Sequence, residues 1–473
     1  MDLRDGSGTK ARFRAYAADL ASVLGHADRV GPFENYCMGL ILTEGRKSVE
    51  PLAAVIAPER TAAQHQSLLH LVAQAPWSDP AILTRVRELV LPSITRDEPI
   101  QAWIIDDTAF PKKGHHSVGV ARQYCGQLGK QENCQVAVSL SVATHQASLP
   151  VAYRLYLPQS WADDRVRRST AGIPEDIGFH TKPEIALQQM RQAHADGLPT
   201  AVALMDPAYG NNAALRAGIS ELGQPYVAGI LPTTAVWRPG EAALSPPAWS
   251  GRGRPAERLR RDDTHRPVSV KALAVELAAD VWQPITWRDG SNAPLTSRFA
   301  RLRVRPAHDD TKRNEPTAEQ WLLIEWPDGA SEPDHYWLST LPPDITFERM
   351  VDLTKLRWRI ERDYLDLKQE VGLGHYEGRG WRGFHHHASL CIAAYGFLVS
   401  EKTTIPPSGP AGAWRGPRPG VPAGYRPRGA AVALATPRAE LDRYPTHPSR
   451  THLRPCAAAM SLLRAYAPAS TAA

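Results

Sequence analysis

Four polar residues near position 360 are spaced so that one helix would carry them on a single face. Arg357, Glu361, Tyr364 and Lys368 stand at positions i, i+4, i+7 and i+11, which follows the helical repeat of about 3.6 residues per turn. One carboxylate flanked by two cations suits a site that holds a metal ion beside phosphate groups. Ion pairing within the helix, between Glu361 and neighbouring cations, is the structural alternative.

Two earlier segments place an aspartate after an apolar run. Residues 103–106 and 203–206 each predict a short strand that ends in Asp106 or Asp206. With Glu361 they make the three carboxylates that two-metal phosphoryl transfer needs, because hard ions such as Mg²⁺ prefer oxygen ligands. Mn²⁺ is the alternative ion. Asp107 competes with Asp106, since adjacent strand residues face opposite sides of a sheet, and a lone aspartate of this kind is more often a turn or helix cap.

The bulk composition is that of a globular protein of several domains, with 473 residues, 43% hydrophobic and 22% charged. No apolar run approaches the roughly 18 residues of a membrane span, and the N-terminus lacks the apolar core of a signal peptide. We therefore expect a cytoplasmic protein with no membrane partner. The five cysteines form no C-x-x-C pair, which argues against a disulfide framework or a structural zinc site.

The positive net charge is concentrated at the C-terminus. Residues 401–473 carry ten Lys and Arg against three Asp and Glu, so residues 1–400 carry 45 basic and 46 acidic residues. A nucleic-acid contact in the body of the chain must therefore use local basic patches. The same C-terminal segment holds 12 of the 41 prolines. We predict a disordered basic Pro/Ala-rich tail over 403–473, with a frame-shifted reading of an ordered C-terminus as a further hypothesis.

Hydrophobic periodicity changes along the chain. Residues 10–95 follow a helical period, and later segments alternate with a period of two residues. Thr181 and Glu184 have the spacing of a capping box, which predicts a helix start. The predicted order β, β, β, α, β, α, β, followed much later by the Glu361 helix, is that of an α/β fold with an RNase H-like catalytic core. Its strands lie near 101–106, 135–142, 149–157, 200–205 and 225–230, and its helices near 181–193 and 212–222. The second and third of these strands are joined by a short polar loop, which predicts a hairpin.

The motifs around these carboxylates resemble those of DDE transposases of bacterial insertion sequences, in particular the group with the signature Y-x2-R-x3-E-x6-K. Arg357, Glu361 and Lys368 match that spacing, and Thr354 stands where the group has Tyr. The D-x-T around the first Asp of the family fits residues 106–108 and favours Asp106. The D-x-[AG]-x-[YF] around the second fits residues 206–209 only approximately. The segments 110–114, 122–130 and 376–385 also resemble this group, and the resemblance covers about residues 10–400.

The resemblance implies a domain arrangement and a function. We expect a helical N-terminal DNA-binding domain over 1–98, a first part of the RNase H-like core over 99–231, a β-rich insertion over 232–343, and the last part of the core with the catalytic helix over 344–402. The chain would be a transposase that cuts the ends of its element and joins 3′-hydroxyls to target DNA. Asp106, Asp206 and Glu361 would hold two Mg²⁺ ions. The expected partners are double-stranded DNA, as terminal inverted repeats and target, and a second copy of the chain.

Two other functions compete with this one. A degenerate copy would bind DNA ends without cutting them, and the unusual tail favours it. A Mg²⁺-dependent nuclease or phosphohydrolase unrelated to transposition would cut without joining.

Several cations and one tyrosine are candidate DNA contacts. By the same analogy Arg357 and Lys368 would contact phosphates near the cut, with Tyr364 on the same face. The cations that follow the first aspartate could line the DNA or form a solvated loop, and the run at 251–261 is the densest basic patch of the body. The candidates are Arg357, Tyr364, Lys368, Lys112, Lys113, Arg122, Lys130, Arg252, Arg254, Arg260 and Arg261.

Aromatic and histidine residues outside these motifs have bland explanations that we favour. Trp237, Trp249, Trp282 and Trp287 in the insertion could stack on an unpaired base, but core packing is the commoner role of tryptophan. Residues 385–387 are three consecutive histidines. Consecutive helical residues point about 100° apart, so the three cannot bind one ion together, and we predict packing or DNA contact.

Overall fold

The computed structural model describes residues 6–249, 251–289 and 294–404. The predicted tail at 403–473 lies outside these residues, except for its first two positions. The chain forms a mixed α/β fold in which the N-terminal helices, the sheet and the last helix share one continuous hydrophobic core. None of the helices in the described part of the chain combines the length and the apolar character that a membrane span requires.

Residues 6–94 are mostly helical, as the periodicity predicts. Ser78 caps the fifth helix by accepting a hydrogen bond from the backbone N–H of Ala81, a standard N-cap interaction. The helices are α1 (Gly6–Ala21), α2 (Val30–Leu42), α3 (Val49–Ile56), α4 (Thr61–Ala73) and α5 (Asp79–Ile94). Single turns of 3₁₀ helix occupy Ser22–Leu24, Ala27–Arg29 and Pro58–Arg60.

Strands and helices then alternate up to residue 230. The predicted hairpin is present, since its two long strands pair antiparallel, and Thr181 and Glu184 form the predicted capping box. The elements are β1 (Ala102–Pro111), β2 (Ala121–Cys125), β3 (Lys130–Ala143), β4 (Ser148–Leu155), α6 (Gln159–Ala162), α7 (Arg165–Ala171), α8 (Lys182–Ala195), β5 (Val202–Met205), α9 (Pro207–Gly210), α10 (Ala213–Glu221) and β6 (Tyr226–Ile230). The strand β2 was not predicted from the sequence.

The segment after β6 is rich in β-structure. Its strands match the four strand-like runs that the sequence predicts at 266–270, 299–304, 321–326 and 335–339, with two further strands and a helix. The elements are β7 (Ala235–Trp237), β8 (Val268–Ser269), α11 (Val270–Glu276), β9 (Gln283–Asp289), β10 (Pro294–Pro306), β11 (Gln320–Trp326) and β12 (His335–Ser339). Single 3₁₀ turns occupy Ala279–Val281 and Asp310–Lys312.

Three helices end the described chain: α12 (Phe347–Lys355), α13 (Trp358–Gln369) and α14 (Trp381–Thr404), with a 3₁₀ turn at Leu373–His375 between the last two. The long helix α14 packs against the N-terminal helices. Phe397 meets Phe13 edge to face at 5.1 Å between ring centroids, and Glu401 accepts a hydrogen bond from Nε of Arg12 at 2.8 Å. These contacts join the two ends of the described chain.

Within the described residues, twelve strands form one continuous sheet. Ten of them follow the order β2-β3-β1-β5-β6-β12-β11-β10-β7-β8, while β4 pairs with β3 and β9 pairs with β10. The pairs β1–β5 and β5–β6 are parallel. The strand β12 pairs antiparallel with β6, so the later β-rich segment extends the central sheet through its backbone hydrogen bonds.

The strand β1 does not end at Asp106, contrary to the prediction. Its parallel ladder with β5 stops at the pair Ile105–Met205. Its antiparallel ladder with β3 continues through Asp106–Ser139 to Pro111–Cys134. The apolar run in the sequence stops where β5 stops, whereas the backbone remains extended because β3 still supplies hydrogen-bond partners.

Candidate active site

Asp106 and Asp206 lie side by side where the parallel ladder of β1 and β5 ends. The pair Ile105–Met205 is the last in register, so the next residue of each strand is an aspartate at the same level. Asp206 also caps α9, because its Oδ1 accepts a hydrogen bond from the backbone N–H of Tyr209 at 3.2 Å. The long-range pairing therefore places two carboxylates at one point of the sheet.

The environment of these two carboxylates disfavours their charged forms. Burial raises the pKa of Asp106 to about 8; Arg357 lowers it, and the nearby charges of Asp206 and Asp107 raise it further. Burial also raises the pKa of Asp206, against the opposing effect of Arg357. Neighbouring buried carboxylates repel one another, so a cation placed between them would be strongly stabilised.

Arg357 connects the sheet to the helix α13. Its Nη1 donates to Oδ2 of Asp106 at 3.0 Å, and its Nη2 donates to Oε1 of Glu361 at 2.9 Å. The Arg357 side chain is 18% exposed and that of Glu361 is 44% exposed. The predicted helical face is present, and the guanidinium joins the third carboxylate to the first.

Asp107 belongs to a different set of contacts. Its Oδ2 accepts from Nζ of Lys182 at 3.0 Å and from the hydroxyl of Tyr209 at 3.1 Å. Asp107 therefore ties β1 to the starts of α8 and α9, whereas Asp106 contacts α13. Lys182 was not among the candidate site residues predicted from the sequence. The sequence predicted that a helix begins at this point, but not that Lys182 pairs with Asp107.

Tyr364 and Lys368 lie against β1 and β3. The Tyr364 hydroxyl hydrogen-bonds Oγ of Ser139 at 2.7 Å, and burial, followed by the charge of Asp106, raises its pKa well above the usual range. Nζ of Lys368 donates to the carbonyl oxygen of Ala109 at 3.0 Å and lies 5.2 Å from the centroid of the Phe110 ring. Burial lowers the pKa of Lys368. Both side chains thus anchor α13 to the sheet.

Comparison with known proteins adds to this geometry. Residues 19–294 match the family model described as DDE superfamily endonuclease, which is more than half of the chain. This chain belongs to the DDE superfamily endonucleases. The matched residues include Asp106 and Asp206 and end before Glu361.

The DDE endonuclease chain is also similar to a curated transposase. It is 29% identical over 180 residues to the "Probable transposase for insertion sequence element IS701" of Microchaete diplosiphon. The alignment covers 38% of this chain and 43% of that relative, so the chain spans less than half the length of the curated protein it matches.

DDE superfamily nucleases generally use divalent metal ions such as Mg²⁺. The donor set at the sheet edge fits such an ion, because Asp106 and Asp206 offer only oxygen ligands and a cation would offset the burial and the carboxylate repulsion that raise their pKa values. Within the described residues, no group of three or more His, Cys, Asp or Glu side chains is close enough to hold an ion. Arg357 lies between Asp106 and Glu361 and donates a hydrogen bond to each of them.

Apart from Arg357, which bridges Asp106 and Glu361, the predicted DNA contacts in this DDE endonuclease fall into two groups. One group is engaged in packing: besides Tyr364 and Lys368, Nζ of Lys112 donates to the carbonyl oxygen of Tyr376 at 3.0 Å, and Arg261 pairs with buried Asp310 at 2.6 Å. The other group is exposed. It comprises Lys113, Arg122, Lys130, Arg252, Arg254 and Arg260, of which Lys130 pairs with Glu132 at 3.3 Å and Arg254 with Glu257 at 3.5 Å.

The tryptophans of the later β-rich segment mostly pack, as predicted. Trp237 is buried, and its Nε1 donates to Oδ2 of Asp310 at 2.9 Å. Trp282 meets Trp326 edge to face, and Trp287 packs against the main core. Trp249 is the exception, with 59% exposure. It lies beside the exposed arginines of the 251–261 run and is the candidate for stacking on a base.

The three consecutive histidines are all buried in α14. Of the two predicted roles, packing or DNA contact, packing is confirmed. Nδ1 of His387 lies 3.0 Å from the Tyr36 hydroxyl, and its Nε2 lies 3.0 Å from the carbonyl oxygen of Gly372. Since a carbonyl only accepts, the neutral ring donates from Nε2 and accepts at Nδ1. His387 therefore ties the N-terminal helices to the segment after α13.

Proposed function

We propose that this chain is the transposase of a bacterial insertion sequence. It cuts DNA at the ends of its element and transfers the resulting 3′-hydroxyl ends to target DNA. The observation that carries the proposal is the placement of Asp106 and Asp206 at the end of the β1–β5 ladder, with Arg357 linking Asp106 to Glu361. Membership of the DDE superfamily endonucleases and the likeness to a probable transposase support it.

Asp106, Asp206 and Glu361 are the residues that we assign to metal binding. Two bound Mg²⁺ or Mn²⁺ ions would activate the attacking oxygen and stabilise the leaving oxygen of a phosphodiester. Asp106 and Asp206 are held by the sheet, which gives them fixed positions. Glu361 is the more exposed member and is positioned by α13. Arg357 keeps the buried carboxylates compensated and is placed to contact a DNA phosphate beside them.

The remaining assignments follow the same proposal. The spacing of Arg357, Glu361 and Lys368 favours the group with the Y-R-E-K signature, although Thr354 occupies the tyrosine position. In this structure Thr354 is buried and its hydroxyl donates to the carbonyl oxygen of Met350 at 2.7 Å. We assign end recognition to residues 1–98 and phosphate contacts to the exposed cations near β2 and in the 251–261 run. Bringing two element ends together requires at least two copies of the chain.

The test is Mg²⁺-dependent cleavage by the full chain of a duplex that carries the terminal repeats of the element. Glu361→Gln removes one ligand charge with little change of shape. We expect it to slow cleavage by roughly 10²–10³-fold, several kcal/mol of transition-state stabilisation, while end binding stays unchanged. Glu348→Gln is the matched control, because Glu348 is an exposed residue of the preceding helix.

The competing functions give different results in the same assay. Binding of the repeats by the wild type without any cleavage would favour a degenerate end-binding protein. Cleavage that ignores the repeats and yields no joined product would favour a general nuclease. Equal loss of activity in Glu348→Gln and Glu361→Gln would contradict a specific role for Glu361.

A further inference from the structure

Two arginines and a histidine line a cavity between α10 and the later β-rich segment, away from the carboxylates of the candidate active site. The cavity has a volume of about 190 Å³. It is lined by residues of α10, by Tyr226 of β6, and by residues from the end of β10 to the start of β11. The α10 residues Ala213, Arg216, Ala217 and Ser220 line one wall, and their i, i+3, i+4, i+7 spacing places them on one helix face. Two alanines and a serine on this face leave the space open.

Arg216 is the central residue of the cavity wall. It is 6% exposed and donates from Nη1 to the carbonyl oxygen of Gly210; it also hydrogen-bonds Tyr226. Burial lowers the pKa of Arg216, and Tyr226 opposes this effect. Within the described residues, no carboxylate contributes to the pKa shift of Arg216. A guanidinium carries five N–H donors, so these contacts use only part of its capacity. A buried charge without a counter-charge is costly.

A second arginine, a histidine and an amide also line the cavity. Arg313 and His308 line it from the loop between β10 and β11, and Gln320 lines it from β11. The hydroxyl of Tyr226 donates to Oε1 of Gln320 at 2.9 Å, which orients that amide. Among the described residues, those that line the cavity include no Asp or Glu. Asp309 is an exposed carboxylate beside the cavity, 3.4 Å from His308 and 2.9 Å from Lys312. The hydrogen bond from Lys312 and the charges of His308 and Arg313 lower the pKa of Asp309.

We propose that this cavity is a binding site for a phosphate group, held by Arg216 and Arg313. The volume is below the roughly 300–1,000 Å³ of pockets that enclose drug-sized ligands, which favours a small anion over a whole nucleotide. Guanidinium groups bind phosphate through paired N–H donors. The two sources of this chemistry are free inorganic phosphate and a backbone phosphate of DNA that lies across the cavity mouth.

The cavity is connected to the second catalytic aspartate through the backbone. Gly210, whose carbonyl oxygen accepts from Arg216, is the last residue of α9, and the first turn of α9 is capped by Asp206. A phosphate on Arg216 would therefore hold the corner between α9 and α10. Because of this link, a DNA phosphate beside the active site is one of the two candidate occupants of the cavity. Only this candidate rests on the proposed function; binding of free phosphate does not.

The direct test is line broadening of the ³¹P resonance of inorganic phosphate by the full chain, at constant ionic strength. We expect saturable binding by the wild type and a rise in Kd of at least about tenfold in Arg313→Ala, the loss expected for a charged hydrogen bond. Arg313 is exposed, so this variant tests the site without altering the core. Arg216→Gln should have the same effect, and Arg165→Ala, at an exposed arginine of α7, should have none.

Equal broadening by the wild type, Arg313→Ala and Arg165→Ala would overturn the proposal, because binding would then be an adventitious surface effect. A second arm measures competition between phosphate and duplex DNA. If DNA displaces phosphate and Arg313→Ala lowers the salt slope of DNA binding by about one unit, a DNA phosphate fills the site. Phosphate binding that DNA does not displace assigns the site to free phosphate. Neither readout needs cleavage, so failure of the transposase proposal would be seen separately.

Discussion

Arg357 and Asp106 are 251 positions apart in the chain, yet Nη1 of the arginine donates to Oδ2 of the aspartate at 3.0 Å. The same guanidinium reaches Glu361 one helical turn away. The charge of Arg357 lowers the pKa of Asp106, while burial and the neighbouring aspartates raise it. The balance of these effects controls when Asp106 can act as an anionic ligand.

The first prediction concerns the pH dependence of metal binding. The pKa of Asp106 is raised to about 8, and a protonated carboxylate must lose its proton before it binds an ion. Mn²⁺ affinity should therefore increase about tenfold per pH unit as the pH rises toward 8, then level off above it. Calorimetric titration of the full chain with Mn²⁺ between pH 6.5 and 9 measures this. A flat profile would contradict the raised pKa, and Asp106→Asn should abolish binding at every pH.

The second prediction concerns Arg357. Arg357→Gln removes the cation that lowers the pKa of Asp106, so the pH midpoint of Mn²⁺ binding should move upward by about one unit or more. Arg362→Gln is the matched control, because Arg362 pairs with Asp366 on the same helix at 3.0 Å. A midpoint that stays in place in Arg357→Gln, or moves equally in both variants, would show that another group compensates Asp106.

The third prediction concerns the close approach of α9 to the sheet. A Cβ atom on Gly210 would stand 2.2 Å from the carbonyl oxygen of Gly229 and 2.9 Å from its amide nitrogen. Gly210→Ala must push α9 away from β6, and we expect it to lower the free energy of unfolding by about 1–3 kcal/mol. Urea titration gives this value. Gly178→Ala adds the same methyl group where no atom lies within 4 Å, and equal effects of the two changes would refute the packing argument.

The fourth prediction concerns acid stability. Burial lowers the pKa of His387 from 6.5 to about 4, against the opposing effect of the Gly372 carbonyl. Below pH 6.5 the unfolded chain therefore binds a proton that the folded chain rejects until about pH 4. Stability is fully present above pH 6.5 and falls as the pH drops toward 4, by about 3 kcal/mol for this one residue.

His387→Gln should make this part of the pH profile less steep, measured as the urea midpoint between pH 7 and 4.5. Some slope should remain, because burial also lowers the pKa of His386 to about 4. The variant should be less stable than the wild type at pH 7, because the contacts to Tyr36 and Gly372 are lost or weakened. His70→Gln, at an exposed histidine, should leave the slope unchanged. A wild-type slope that persists in His387→Gln would assign the acid sensitivity to other groups.

Local patterns in the sequence predicted the helices and the hairpin that depend on residues close together in the chain. The stripe from Arg357 to Lys368 is a helix because its spacing follows the helical repeat, and Thr181 begins a helix because its side chain and that of Glu184 satisfy the first free backbone groups. The hairpin of β3 and β4 followed from alternating apolar residues and a short polar loop. Each of these depends on residues within one or two turns of one another.

Only the tertiary structure decided which distant groups meet. It extended β1 past Asp106, joined the strands after β6 to the central sheet, and brought Lys182 to Asp107. It also buried Tyr364 and turned the Lys112 ammonium to the carbonyl oxygen of Tyr376, although their positions in the sequence had placed both among the candidate DNA contacts. The physical reason is that the spacing of residues in the sequence determines only which face of its own helix or strand a side chain lies on. Its partner across the sheet is set by how all the elements pack together to bury their apolar faces.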